Sequence, residues 1–250
     1  MTYHYVWLLW STAFLVPWAI LFVAAGSFRR EMLRVSALTS LLGLTEPIFV
    51  PEYWNPPSLF ELAQRTGFDI ESLIFSFAIG GIGGIGAGVY RVLLRRALRA
   101  LPVSERHAWR HRFHRLASAA PVLAFPPLYL LPWNPIYPAT TALLIGGAAN
   151  VLCRPDLLHG SVTGGLLFAA LYALFMALLI AFAPGYIEQV WNLPALSSIR
   201  PAGIPIEELA FGFAFGTYWA GIYEHFTWTR LVPSGECRPD SPNARPCEAC

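Results

Sequence analysis

Apolar residues in this chain neither alternate nor mark one face of a helix; they come in long, nearly unbroken runs. Seven runs stand out, at about residues 3–25, 34–51, 71–94, 116–133, 136–153, 158–183 and 205–228, parted by segments rich in arginine, proline, asparagine and glycine. A helix that crosses a bilayer needs roughly 20 mainly apolar residues. The pattern therefore predicts an all-α, polytopic membrane protein with seven transmembrane helices. The fourth and fifth runs are short and proline-rich, separated only by Pro132-Trp133-Asn134-Pro135. The first run has no basic lead and no small-residue cleavage site, so it is expected to stay as a helix rather than be removed as a signal peptide.

Composition strengthens this picture. Of 250 residues 56% are hydrophobic and 13% charged, about half the charged share of a soluble domain. All 17 basic side chains are arginines. With the N-terminus outside, fifteen of them fall in inner loops or the tail, and only Arg65 and Arg200 fall outside. That asymmetry requires an odd number of spans and puts the C-terminus in the cytoplasm. The basic 91–115 loop is expected to be a short amphipathic helix meeting lipid headgroups, and a net charge of +2 gives no ground for nucleic-acid binding. The four cysteines do not suggest a disulfide framework.

Carboxylates bring in the chemistry. Trp54-Asn55-Pro56-Pro57, followed by Gly67-Phe68-Asp69-Ile70-Glu71-Ser72-Leu73, returns as Trp191-Asn192-Leu193-Pro194, then Gly203-Ile204-Pro205-Ile206-Glu207-Glu208-Leu209. The offset is 137 residues at the tryptophan and 136 at the glutamate, and both segments lead into an apolar run. Helices one to three and five to seven then form two parallel three-helix repeats joined by a connector helix, about an axis along the membrane normal. The expected organisation is a first repeat (1–94), a cytosolic basic loop and connector (95–133), a second repeat (134–230) and a disordered cytosolic tail (231–250).

Two readings compete for Asp69, Glu71, Glu207 and Glu208. At helix N-termini they could simply cap amides and complement the dipole. Alternatively, a carboxyl in an apolar site can hold a proton near neutrality and donate it, while an ionised neighbour stabilises a cation or takes a proton back. The aromatic comb Phe211, Phe213, Phe215 suits a carbocation, which aromatic faces stabilise without trapping. Glu46 lies within the second run, where a charge costs about 2.5–3.5 kcal/mol. It is assigned to the site together with Asp69, Trp54, Trp191, Phe211 and Phe215. Glu52 and Glu188 are expected to be solvated, and Glu224 and His225 to lie at the inner interface.

Other patterns carry less. Gly81-Ile82-Gly83-Gly84-Ile85-Gly86 matches a dinucleotide fingerprint but follows no strand; Gly80, Gly84 and Gly88 read instead as a helix-packing stripe. His107, His111 and His114 are expected in a solvated loop, and no metal or cofactor is expected. The absence of lysine excludes a retinal Schiff base.

At Pro205-Ile206-Glu207-Glu208-Leu209-x-Phe211 the chain resembles the membrane-embedded lycopene cyclase family, found as heterodimers of three-helix subunits or as single fused chains. The resemblance implies acid–base cyclisation of a carotenoid end group without net redox change, with Glu207, Glu208 and the aligned Glu71 as catalytic candidates. The first unit departs from the family pattern, since Asp69-Ile70-Glu71-Ser72 lacks the proline and the second glutamate. The implied partners are a lipid-soluble polyisoprenoid substrate, membrane lipids and other carotenoid-pathway enzymes. Two other classes remain open: a non-catalytic carotenoid-binding or assembly subunit, and a proton-coupled transporter.

Overall fold

The computed structural model describes residues 3–24, 26, 29–93, 98–102 and 111–233. Its helices are α1 (Val6–Ala13), α2 (Leu15–Ala24), α3 (Arg29–Ser40), α4 (Glu46–Phe49), α5 (Leu62–Thr66), α6 (Ile70–Leu93), α7 (His114–Tyr129), α8 (Ile136–Cys153), α9 (Leu158–Phe182), α10 (Tyr186–Val190) and α11 (Ile206–Thr227). The seven apolar runs fall largely on α1–α2, α3–α4, α6, α7, α8, α9 and α11. Among the described residues, three segments are long and apolar enough to cross a membrane, Tyr3–Ala24, Ile136–Cys153 and Pro155–Phe182. The chain is thus helical and membrane-spanning.

The most extensive packing joins α9 to α11 and α3 to α6, while α8 packs on α7 and α11, and α6 meets α11. Two glycines 136 positions apart explain the first two contacts. A Cβ on Gly80 would lie 2.3 Å from Thr39 of α3, and one on Gly216 would lie 2.6 Å from the Gly164 carbonyl oxygen of α9. In each pair the bare backbone lets the neighbouring helix approach closely. The interior between the helices is aromatic. Phe14, Phe168, Tyr172 and Phe215 are buried in one cluster, with Phe75, Phe175, Phe211 and Trp219 against it.

The structure departs from the sequence reading beyond α6. Leu98–Pro102 is a strand (β1), not part of an amphipathic helix, and it pairs antiparallel with Thr229–Pro233 (β2), Leu98 opposite Pro233. Leu, Val and Thr favour a pleated pair, and Pro102 and Pro233 stand at ribbon ends, where a missing N–H is tolerated. The tail expected to be disordered from residue 231 therefore begins with the end of β2. His107, Cys237, Cys247 and Cys250 lie outside the described residues.

Candidate functional site

The two Trp-Asn segments meet. Trp54 and Trp191 form an antiparallel bridge, with the Asn55 amide donating to the Val190 carbonyl at 2.8 Å and the Asn192 amide donating to the Tyr53 carbonyl at 2.9 Å. Those two bonds exchange under the 137-residue offset, since 53 pairs with 190 and 55 with 192. The indole rings lie 5.4 Å apart. Asn134 and Asn192 both donate through Nδ2 to the Glu52 carbonyl, at 2.9 Å each, tying in the loop before α8.

This bridge gathers the carboxylates at one end of the helices. Glu46, Asp69, Glu71, Glu207 and Glu208 are all buried. Glu207 and Glu208 stand in the first turn of α11, whose N-cap, Pro205, offers no side-chain cap. Glu208 instead turns inward, where its Oε1 accepts from the Tyr53 hydroxyl and, at 2.7 Å, from the Trp191 indole. The Tyr172 hydroxyl lies against the same carboxylate. Burial, and then the neighbouring Glu208 charge, hold the Tyr53 hydroxyl well above its ordinary pKa, so Tyr53 acts as a neutral donor.

Glu207 has a different environment. Its Oε1 accepts from the Tyr137 hydroxyl and the Ser197 amide, at 2.8 Å each, while its buried Oε2 has no hydrogen-bond partner among the described residues.

At the entry to α6 the arrangement changes again. Asp69 accepts the Ser72 amide, an N-cap contact. Burial raises its pKa, opposed by the bonds from Ser72, and the nearby Glu71 adds to the rise. Glu71 accepts the Leu59 amide at 2.7 Å. Glu46 sits beside Asp69, Glu71, Ser72 and Trp54. Glu46 Oε1, Asp69 Oδ2 and Glu71 Oε2 are buried without partners among the described residues.

The aromatic residues assigned from the sequence lie beneath the acids. Tyr172 packs against Phe14, Phe168, Phe175 and Phe211, and Phe215 stacks on Trp219 with ring centroids 4.5 Å apart. Glu208 therefore has its hydrogen-bond donors above and aromatic faces below. Glu188 is exposed and pairs with Arg200 at 3.1 Å, as expected of a solvated acid. Sequence reasoning did not find Tyr53, Tyr137 or Tyr172. The available signals were the position of Tyr53 directly before the echoed tryptophan and a tyrosine inside the apolar run of α9.

The opposite end of the helices differs from expectation as well. Glu224, His225, His111 and His114 are buried rather than interfacial or solvated. His114 stacks between His225 and Trp228 at centroid distances of 3.8 and 3.9 Å. His111 and His114 both approach Cys153.

Residues 134–226 match the lycopene cyclase family model. No curated protein and no solved structure matches the chain. The matched stretch contains α8, α9 and α11, hence Glu207, Glu208, Trp191, Tyr137 and Tyr172, but not Tyr53, Glu46 or Glu71.

Proposed function

We propose, from the premise that residues 134–226 are a lycopene cyclase family domain, that the protein cyclises the end group of a linear carotenoid within the bilayer. The observation that carries this reading is Glu208: a buried carboxylate held by Tyr53 and Trp191, with Tyr172 leading from it into an aromatic interior. In this reading Glu207 and Glu208 form the acid–base pair. The protonated member gives its proton to the terminal carbon–carbon double bond. The resulting cation closes on a neighbouring double bond, forming one carbon–carbon bond. The ionised member stabilises that cation and removes a ring proton, restoring a double bond. One proton is added and one removed, so the end group is isomerised without redox change. Aromatic faces around Tyr172 and Phe211 attenuate the cation's charge.

We further infer that 1–94 and 134–230 are parallel repeats, with the N-terminus outside. The exchange-symmetric hydrogen bonds at Trp54 and Trp191, and the matched packing of Gly80 and Gly216, support this. The test is expression in cells that accumulate lycopene. Cyclised carotenoid should appear with the native chain and disappear with Glu207→Gln and with Glu208→Gln. Membranes carrying folded protein with an unchanged lycopene pool would overturn the proposal. Isolated membranes supplied with unlabelled lycopene in heavy water should place one deuterium in each ring formed. Copurification of intact pigment without conversion would favour a binding subunit, and pH-dependent flux abolished by Glu46→Gln would favour a transporter.

A further inference from the structure

We infer that His111, His114 and Cys153 form a binding site for a borderline transition-metal ion of the zinc class, at the end of the helices opposite the carboxylates. His111 lies in the turn entering α7, His114 is the first residue of α7, and Cys153 is the last residue of α8. All three are buried. Cys153 Sγ stands 3.4 Å from His111 Nδ1 and 3.5 Å from His114 Nδ1, and the three donor atoms lie within 4.8 Å of one another. A tetrahedral ion with bonds of about 2.3 Å to sulfur and 2.0–2.1 Å to nitrogen requires sulfur–nitrogen edges of about 3.5 Å. Both observed edges fit that figure.

The donor chemistry narrows the ligand. Two imidazoles and a thiolate suit zinc, cobalt or copper, whereas calcium and magnesium require oxygen donors. The imidazoles are also held in place. His114 is sandwiched between His225 and Trp228, with interplanar angles of 10° and 19°, and His225 is fixed by a 2.7 Å contact from its Nδ1 to Ser118 Oγ. The nearby Arg154 guanidinium is turned to Asp156 Oδ2 at 2.6 Å and to the Glu224 carbonyl at 2.5 Å, which offsets its positive charge. Binding replaces the thiol proton, which leaves to solvent, and the three donors among the described residues fill three positions of the tetrahedron.

The ion would clamp the start of α7 to the end of α8, beside the C-terminal turn of α11. The 18 residues of α8 rise about 27 Å between this cluster and the Tyr137–Glu207 contact, so the site supports the fold and takes no part in carbon chemistry. It does not rest on the cyclase reading.

The test uses the full chain with Cys237, Cys247 and Cys250 replaced by serine, leaving Cys153 as its single thiol. The protein is purified in detergent, stripped with chelator and titrated with cobalt(II). The expected result is a near-ultraviolet thiolate-to-cobalt charge-transfer band that saturates at one ion per chain, bleaches on adding zinc, and is lost in Cys153→Ser. A folded, monodisperse protein without that band, or a band that survives Cys153→Ser, would overturn the proposal. Should Cys153→Ser fail to fold, thiol labelling of the single-cysteine protein decides. Zinc should slow alkylation of Cys153 at least tenfold, and equal rates with and without zinc would sink the idea.

Discussion

In the proposed repeat the entries to α6 and α11 correspond, and their side chains are used differently. At α6, Asp69 caps the helix and Ser72 follows Glu71. At α11, Pro205 stands where Asp69 would, and Glu208 stands where Ser72 would. The Glu208 amide, the counterpart of Ser72's, donates instead to the Pro205 carbonyl at 3.1 Å, so no acid is needed as a cap and both glutamates turn to other partners. The donor side is divided in the opposite sense. Tyr53 of the first half reaches Glu208 of the second. Its counterpart Val190 has no hydroxyl to offer Ser72. Tyr53 and Glu208 form one such pair, and the positions that the proposed repeat aligns with them hold Val190 and Ser72. The difference teaches that acid and donor form one unit: a buried carboxylate without its donor is costly, and so is a buried donor without its acceptor.

The sharpest way to break this comparison is to neutralise its two sides separately. Glu208→Gln should lower cyclisation by about 10²–10⁴-fold, the usual contribution of a positioned acid or base, as read from the carotenoid products of isolated membranes. Glu71→Gln, on the capped side, should lower it far less. Equal losses would mean that both halves carry chemistry. The next largest effect is structural. Ser72→Glu should destabilise the protein by about 3 kcal/mol, because it buries a new carboxylate beside Glu46, Asp69 and Glu71 without a donor. Adding Val190→Tyr should return about 1 kcal/mol by supplying the missing hydroxyl. Thermal unfolding in detergent measures both, and a double variant no more stable than Ser72→Glu alone would contradict the mirror-image argument. Tyr53→Phe should cost about tenfold in activity, the worth of one hydrogen bond to a charged group.

Why the helices could be read from sequence, and the site only partly so, follows from how each is encoded. The apolar runs and the Trp-Asn echo are contiguous, and contiguity is what a chain shows directly; the helices were legible for that reason. The partners of Glu207 and Glu208 come from elsewhere: Tyr53 lies 155 positions from Glu208, and Tyr137 lies 70 from Glu207. No spacing rule links them. His111 and His114 looked solvated because their arginine-rich neighbours dominate the local pattern, yet α8 returns Cys153 to them across 42 and 39 positions. The β1–β2 ribbon escaped notice for the same reason, since strands of five residues 131 apart leave no periodic trace.

The smallest predicted effect tests the capped side alone. Asp69→Ala removes the bond to the Ser72 amide and should cost about 1 kcal/mol, with activity nearly unchanged. Asp69→Asn separates cap from charge, because its amide oxygen can still accept that bond. Asp69 has a folded-state pKa raised by burial and by Glu71. A carboxyl with a raised folded pKa destabilises the protein above that pKa, where folding must bury the ionised form, and does so no longer once pH falls below the unfolded value. Asp69→Asn should therefore unfold at a higher temperature than the native chain at neutral pH. The gap should narrow as pH falls through the raised pKa and close in the ordinary carboxylate range. A gap that is constant with pH would mean that Asp69 is not the ionised member of its cluster, and the proton economy of the first half would have to be reassigned to Glu46 and Glu71.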